Sequence, residues 1–219
     1  MSTQKKQIIT VHISESGTVK NKQQRTAIIS AIVVPFNHRK EVKQLVKTAI
    51  EKGGVDPQKR IIKWTKVSPK EQHIYMNVLT ALNKDELVKY YAVKIRNFEN
   101  RKIMPAYIQL IKQVQRDYPD YDVRVFVQAN ENPKFNKMEM LVKALENKGI
   151  EADVNQAPLE ESRFSQCADL IGGAVLFFNR DDMYLEKLGA PGKATVVEHG
   201  LTLKKKPGKF NVVPFKEGR

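Results

Sequence analysis

One carboxylate, Asp169, stands inside a largely apolar stretch from Phe164 to Phe178, and that contrast is the sharpest chemical signal in the chain. On a helix Phe164, Cys167, Ala168, Ile171, Ala174, Val175 and Phe178 share a broad apolar face, which leaves Ser162, Gln166, Asp169, Gly173 and Arg180 on a narrow stripe. An isolated buried carboxylate is costly, so Asp169 calls for a metal ion, for a cationic partner such as a lysine, or for a neighbouring element that it caps. A second candidate is Ser14-Glu15-Ser16-Gly17, where an apolar strand breaks into a glycine turn, because active sites of open α/β sheets gather at such carboxyl ends. His12 lies within that strand and reads as a core histidine rather than a general base, which needs a reachable substrate proton. Trp64 sits among Lys59, Arg60, Lys63 and Lys66; it is either a platform for base stacking or a packed indole with lysine stems around it.

The elements that must position these residues follow from periodicity. Gln7 to Ser14 alternates Ile9, Val11 and Ile13 with Ile8, Thr10 and His12, which predicts a central strand apolar on both faces. Thr26 to Val34 is a β-branched run closed by Pro35, so the two form a hairpin around a basic loop bearing Lys20, Lys22 and Arg25. Val42, Leu45, Val46, Ala49 and Ile50 have helical spacing, ending at Gly53 and Gly54; Ile74, Val78, Leu79 and Leu82 repeat it after a helix start at Ser68-Pro69. Leu87 to Ile95 reads as a strand, Pro105 to Arg116 as a helix, Val123 to Ala129 as an alternating strand, and Lys134 to Lys148 as an amphipathic helix stopped by Gly149. Ile150 to Val154 is expected as a short strand and Ser162 to Arg180 as the last helix. A hairpin followed by alternating helices and strands specifies an α/β mixed sheet with helices on both faces.

Composition limits the function classes. The 219 residues carry 38 Lys+Arg against 24 Asp+Glu, a net charge of +14. Such an excess attracts polyphosphates through its field and through counterion release. The single cysteine, Cys167, excludes an internal disulfide framework; with a polar start and no long apolar run, a cytoplasmic protein without a membrane span is expected. The stretch from Lys187 to Arg219 is basic, is punctuated by Gly and Pro, contains the cluster Lys204, Lys205 and Lys206, and is expected as a short strand pair plus a basic extension.

A strand closing in a D-E-S-G pattern, a later E-x-K-W motif and a closing S-x-x-x-Q-x-A-D-L-I-x-G helix characterise the family called domain of unknown function 3800. The chain resembles that family through Ser14-Glu15-Ser16-Gly17, Ile61-Ile62-Lys63-Trp64, and Ser162, Gln166, Ala168, Asp169, Leu170, Ile171 and Gly173. The resemblance spans Ile8 to about Arg180 and implies a ribonuclease H-like fold: residues 1–186 with a helical insertion near 38–82, then a basic extension over 187–219. It also implies carboxylates that converge on two divalent cations, Mg²⁺ or Mn²⁺, for phosphodiester cleavage. Three motif positions depart from the pattern. Ser14 stands where the family has Asp, Ile61 replaces the motif glutamate, and the strand after Val123 delivers Gln128, Ala129 and Asn130 before Glu131. Mg²⁺ prefers hard anionic oxygens, so a degraded site with weak metal binding is expected, with Ser14, Gln128 and Gln166 lining it. The leading expectation is a nucleic-acid-binding protein that contacts phosphates through Lys20, Lys22, Arg25, Lys63, Lys66, Lys204, Lys205 and Lys206, with Trp64 on a base. Two alternatives stay open: an active metal-dependent nuclease using Glu15, Glu131 and Asp169 as ligands, and a basic scaffold that binds an acidic protein.

Overall fold

The expected alternation produces a strand buried on both faces, β1 (Gln7–Thr18), in which Ile9, Val11 and Ile13 point to one side and Thr10, His12 and Ser14 to the other. The computed structural model describes residues 6–18, 26–54, 72–95, 100–128, 136–157, 163–178 and 210–214. Its strands continue with β2 (Thr26–Pro35), β3 (Lys89–Ile95), β4 (Tyr121–Gln128), β5 (Asp153–Ala157) and β6 (Phe210–Pro214). They form a six-stranded sheet in the order β5-β4-β1-β2-β3-β6. β1, β2 and β3 form an antiparallel meander, while β4 runs parallel to β1, β5 parallel to β4 and β6 parallel to β3. β1 is therefore internal, as its two apolar faces require.

Five described helices cover the sheet. α1 (Arg39–Glu51), α2 (Gln72–Lys84) and α5 (Arg163–Phe178) pack on one face, with Val42, Val46, Val78, Leu82, Phe164 and Ile171 against Ile28 and Ile32. α3 (Ile103–Asp117) and α4 (Lys137–Glu146) pack on the other, with Tyr107, Leu110, Val114, Leu141 and Leu145 against Ile9, Val11, Val125 and Val127. α1 and α2 both lie between β2 and β3. The expected helix start at Ser68-Pro69 lies outside the described residues.

Two boundaries differ from the expectation. The first strand does not break at Ser14 to Gly17; it runs on to Thr18, because β2 supplies partners from Ser14↔Ser30 through Thr18↔Thr26. Ile150 does not open a strand. Gly149 takes a left-handed φ of +62° and the Ile150 N–H donates to the Leu145 carbonyl at 3.0 Å, so Ile150 is the apolar residue that closes the end of α4; β5 begins only at Asp153. The late segment Phe210–Pro214, which falls within the basic extension, adds a strand to the β3 edge. Among the described residues no helix is long and apolar enough to cross a membrane.

Candidate functional site

Asp169 is held where α5 crosses β1 and β2. Ser30 Oγ donates to the Ala168 carbonyl at 2.7 Å, and Ser16 Oγ lies 3.4 Å from both the carbonyl and Oδ1 of Asp169. Hydroxyls bonded to mid-helix carbonyls tie the helix to the sheet at this point. The approach is close because Gly172 has no side chain: a Cβ there would sit 2.5 Å from Ser30 Oγ and 2.7 Å from Ser16 Oγ. Both hydroxyls are on short, fixed side chains, so Gly172→Ala is expected to destabilise the protein by about 1 to 3 kcal/mol through overpacking. Denaturant titration measures it, and an unchanged midpoint would show that the α5 seat has room to spare.

The alternation of β1 decides which candidates meet. Ser14 and Ser16 share the α5 face with Asp169, which is 5% exposed. Ser14 is fully buried, and its Oγ has no hydrogen-bond partner among the described residues. Glu15 points through the other face, where the Tyr107 hydroxyl and the Lys137 ammonium each donate to Oε1 at 2.8 Å. Burial, and then the adjacent Glu15 carboxylate, push the Tyr107 hydroxyl well above its ordinary pKa, so it stays a donor. Glu15 and Asp169 are thus separated by the sheet. Gln166 is buried, and its Oε1 accepts from Arg163 at 2.8 Å. Gln128 closes β4, one residue past the Ile13↔Val127 pair, on the Ser14 side of the sheet. Glu131, Lys20, Lys22, Arg25, Lys63, Trp64, Lys66, Lys204, Lys205 and Lys206 lie outside the described residues.

Further back along the same face, His12 is buried between two rings, stacked on Phe126 at 4.6 Å and tilted against Phe164 at 4.7 Å. Neither ring nitrogen has a partner among the described residues. Burial, then Arg39 and Lys43, lower its pKa to about 3, so the imidazole is neutral at physiological pH and packs as an aromatic ring rather than acting as a base. Arg39 lies 5.6, 5.6 and 5.4 Å from the ring centres of Phe36, Phe126 and Phe164. Arg124 lies 5.8 Å from Phe36 and bonds Asp153 at 2.8 Å. Sequence reading passed over these residues, although the alternation of β4 puts Arg124, Phe126 and Gln128 on one face. The Cys167 thiol is pushed up to about 12 by burial, partly offset by Arg163, which leaves it unreactive.

A two-cation centre is poorly matched by the donors at the Asp169 end. The described residues offer one carboxylate there, beside the neutral hydroxyls of Ser14 and Ser16, and no group of three His, Cys, Asp or Glu that could hold a metal occurs among the described residues. Neutral oxygens do not offset the charge of two divalent ions.

No protein-family model and no curated protein sequence matches the chain. Among solved structures it is similar to the ribonuclease H2 from Pyrococcus horikoshii OT3, at 12% identity over 83% of this chain and 75% of that one, with a TM-score of 0.48. It is similar also to the ribonuclease HII of the PCNA complex from Archaeoglobus fulgidus, at 12% identity over 88% and 87% with a TM-score of 0.47. A third likeness is to Aquifex aeolicus RNase H3, at 16% identity and a TM-score of 0.44; the match covers 84% of this chain and 62% of that one. The fold class is legible in the strand order itself: an antiparallel β1-β2-β3 meander continued by parallel β4 and β5, with helices on both faces, is a ribonuclease H-like α/β sheet.

Proposed function

We propose that this chain binds nucleic acid on a ribonuclease H-like sheet whose two-metal end has lost its acidic ligands, and that it belongs beside the domain of unknown function 3800 family as a member with a degraded site. The supporting observation is the neutral Ser14, fully buried on the Asp169 face, together with a Glu15 that is turned to the opposite face and neutralised by Lys137. A net charge of +14 supplies the attraction to phosphates. Contacts come from the basic segments around Lys20, Lys63 and Lys204 and are made to the backbone of the nucleic acid, not to base edges. Any Mg²⁺ or Mn²⁺ binding is weak, because Asp169, the one carboxylate that the described residues offer at that end, cannot offset two dications.

The test is titration of labelled single-stranded, duplex and RNA–DNA hybrid oligonucleotides at increasing salt, followed by incubation with Mg²⁺ or Mn²⁺. Binding is expected at low salt, with a log–log salt slope of about −2 or steeper on single strands and about −2.7 or steeper on duplex for three or more neutralised phosphates. The oligonucleotides should remain intact. Absence of binding at low salt overturns the nucleic-acid reading; metal-dependent cleavage that Asp169→Asn abolishes overturns the degraded site and makes the nuclease reading primary.

A further inference from the structure

The part of the sheet face that α5 leaves uncovered carries a chemistry of its own. β4 presents Arg124 and Phe126 there, both half-buried, and the 3-10 turn Phe36–His38 after β2 adds Phe36, which is 45% exposed. Two guanidinium groups, of Arg39 and Arg124, lie over the Phe36 ring, and Lys43 lies 5.7 Å from the centre of the Phe164 ring. Only Arg124 has a carboxylate beside it, Asp153; among the described residues none pairs with Arg39 or Lys43. Cations held by aromatic faces instead of carboxylates gain about 0.5 to 2 kcal/mol each from the rings and keep their N–H donors free for an anion. Arg39 Nε is buried without a hydrogen-bond partner among the described residues. Like charges this close repel one another, and a bound anion relieves that repulsion.

We propose that Phe36, Arg39 and Arg124 form a contact site for one unit of a single-stranded nucleic acid, with a phosphate between the two guanidiniums and an unpaired base lying flat against Phe36 and the guanidinium planes. This rests on the nucleic-acid reading above and locates it. The site is separate from the Asp169 end: Arg124 is the register partner of Thr10, four residues along β1 from Ser14, or roughly 13 Å at strand spacing. A single strand is the fitting occupant because stacking needs an unpaired base, which a duplex does not offer, and because every base has a π face. An acidic peptide would satisfy the charges but bring no base to the exposed Phe36 ring.

Fluorescence anisotropy of the full chain with an oligo-dT of about twelve nucleotides, its duplex with oligo-dA, and an oligoglutamate of matched charge tests this. Phe36→Ala should weaken oligo-dT binding by about 5- to 150-fold, the effect of one stacked base, and leave duplex binding unchanged. Phe36→Trp should bind oligo-dT at least as well as the parent. Arg124→Gln should lower affinity and reduce the salt slope by about one phosphate. Phe36 and Arg124 are surface side chains, and thermal melts of the variants verify that the fold persists. Parent-like binding of oligo-dT by both Phe36→Ala and Arg124→Gln overturns the site while the nucleic-acid reading stands. An equal loss on the duplex, or oligoglutamate bound as tightly as oligo-dT, overturns the single-strand assignment. A parent that binds no nucleic acid overturns the underlying reading, and the site with it.

Discussion

Replacing His12 with phenylalanine should make the protein markedly more resistant to acid. The His12 pKa is lowered from 6.5 to about 3 in the folded state, so protonation favours the unfolded chain, where the imidazole has its ordinary affinity for a proton. The sign follows from linkage: for a depressed histidine the full stability is present above about pH 6.5 and is lost as pH falls toward the folded value. At about 1.4 kcal/mol per pH unit the loss is about 2 kcal/mol near pH 5 and approaches roughly 5 kcal/mol below pH 3. That is a large share of a typical domain stability of about 5 to 15 kcal/mol. The ring lies between Phe126 and Phe164, and among the described residues both its nitrogens are unpartnered and no carboxylate pairs with Arg39 or Lys43 beside it. Phenylalanine keeps the stack and removes the proton site. Denaturant melts of parent and His12→Phe should be close near neutral pH and diverge steadily below about pH 6.5; parallel acid limbs would show that His12 does not control acid sensitivity.

The fold was legible where periodicity alone decides it. Valines at 123, 125 and 127 announced a half-covered strand, and β-branched residues on both faces of Gln7 to Ser14 announced an internal one. Asp169 was legible for a similar reason, as one charge in a buried helix. What failed were features fixed by distant partners. The continuation of β1 through Gly17 depends on hydrogen bonding to β2, so the sequence suggested a turn; on the regular strand that forms instead, Glu15 points away from the Ser14 face, as strand alternation requires. Tyr107 and Lys137, which hold Glu15, are 92 and 122 residues away. Sequence reading gave Gly172 no role; that role exists only because Ser16 and Ser30 press against it. The Arg39 cluster draws its rings from Phe36, Phe126 and Phe164, on a turn, a strand and a helix, and no local pattern joins them.

These placements divide the sheet face between two kinds of chemistry. At one end, serine hydroxyls and a glycine allow α5 to settle on β1 and β2 at hydrogen-bonding distance. At the other, guanidinium groups lie on exposed and half-buried rings where a phosphate and a base can reach them. On the reading proposed above, such an arrangement keeps the cationic contacts for a polyanion, while the described residues at the Asp169 end offer one carboxylate for a metal.

Introducing a carboxylate at Ser14 provides the strongest test of that division. Ser14 is fully buried and shares its face with Asp169, so Ser14→Asp places a second acid in the same sealed region. No cation among the described residues is shown beside Ser14, so without divalent ions a loss of about 3 to 5 kcal/mol is expected, the usual penalty of an uncompensated buried charge. Two carboxylates on one face are also the start of a hard-oxygen ligand set, so Mg²⁺ or Mn²⁺ should restore part of the loss. At a hundredfold excess over its dissociation constant a bound ion contributes about 2.7 kcal/mol. The expected pattern is a variant whose melting temperature is low in chelator and rises with either metal, beside a parent whose melting temperature is nearly indifferent to both. Asp169→Asn in the Ser14→Asp background should remove the metal response and relieve part of the destabilisation, since the two acids repel each other when no ion lies between them. If the parent itself gains as much from Mg²⁺ or Mn²⁺ as the variant does, its Asp169 end already binds the ion, and the neutral Ser14 has not disabled it.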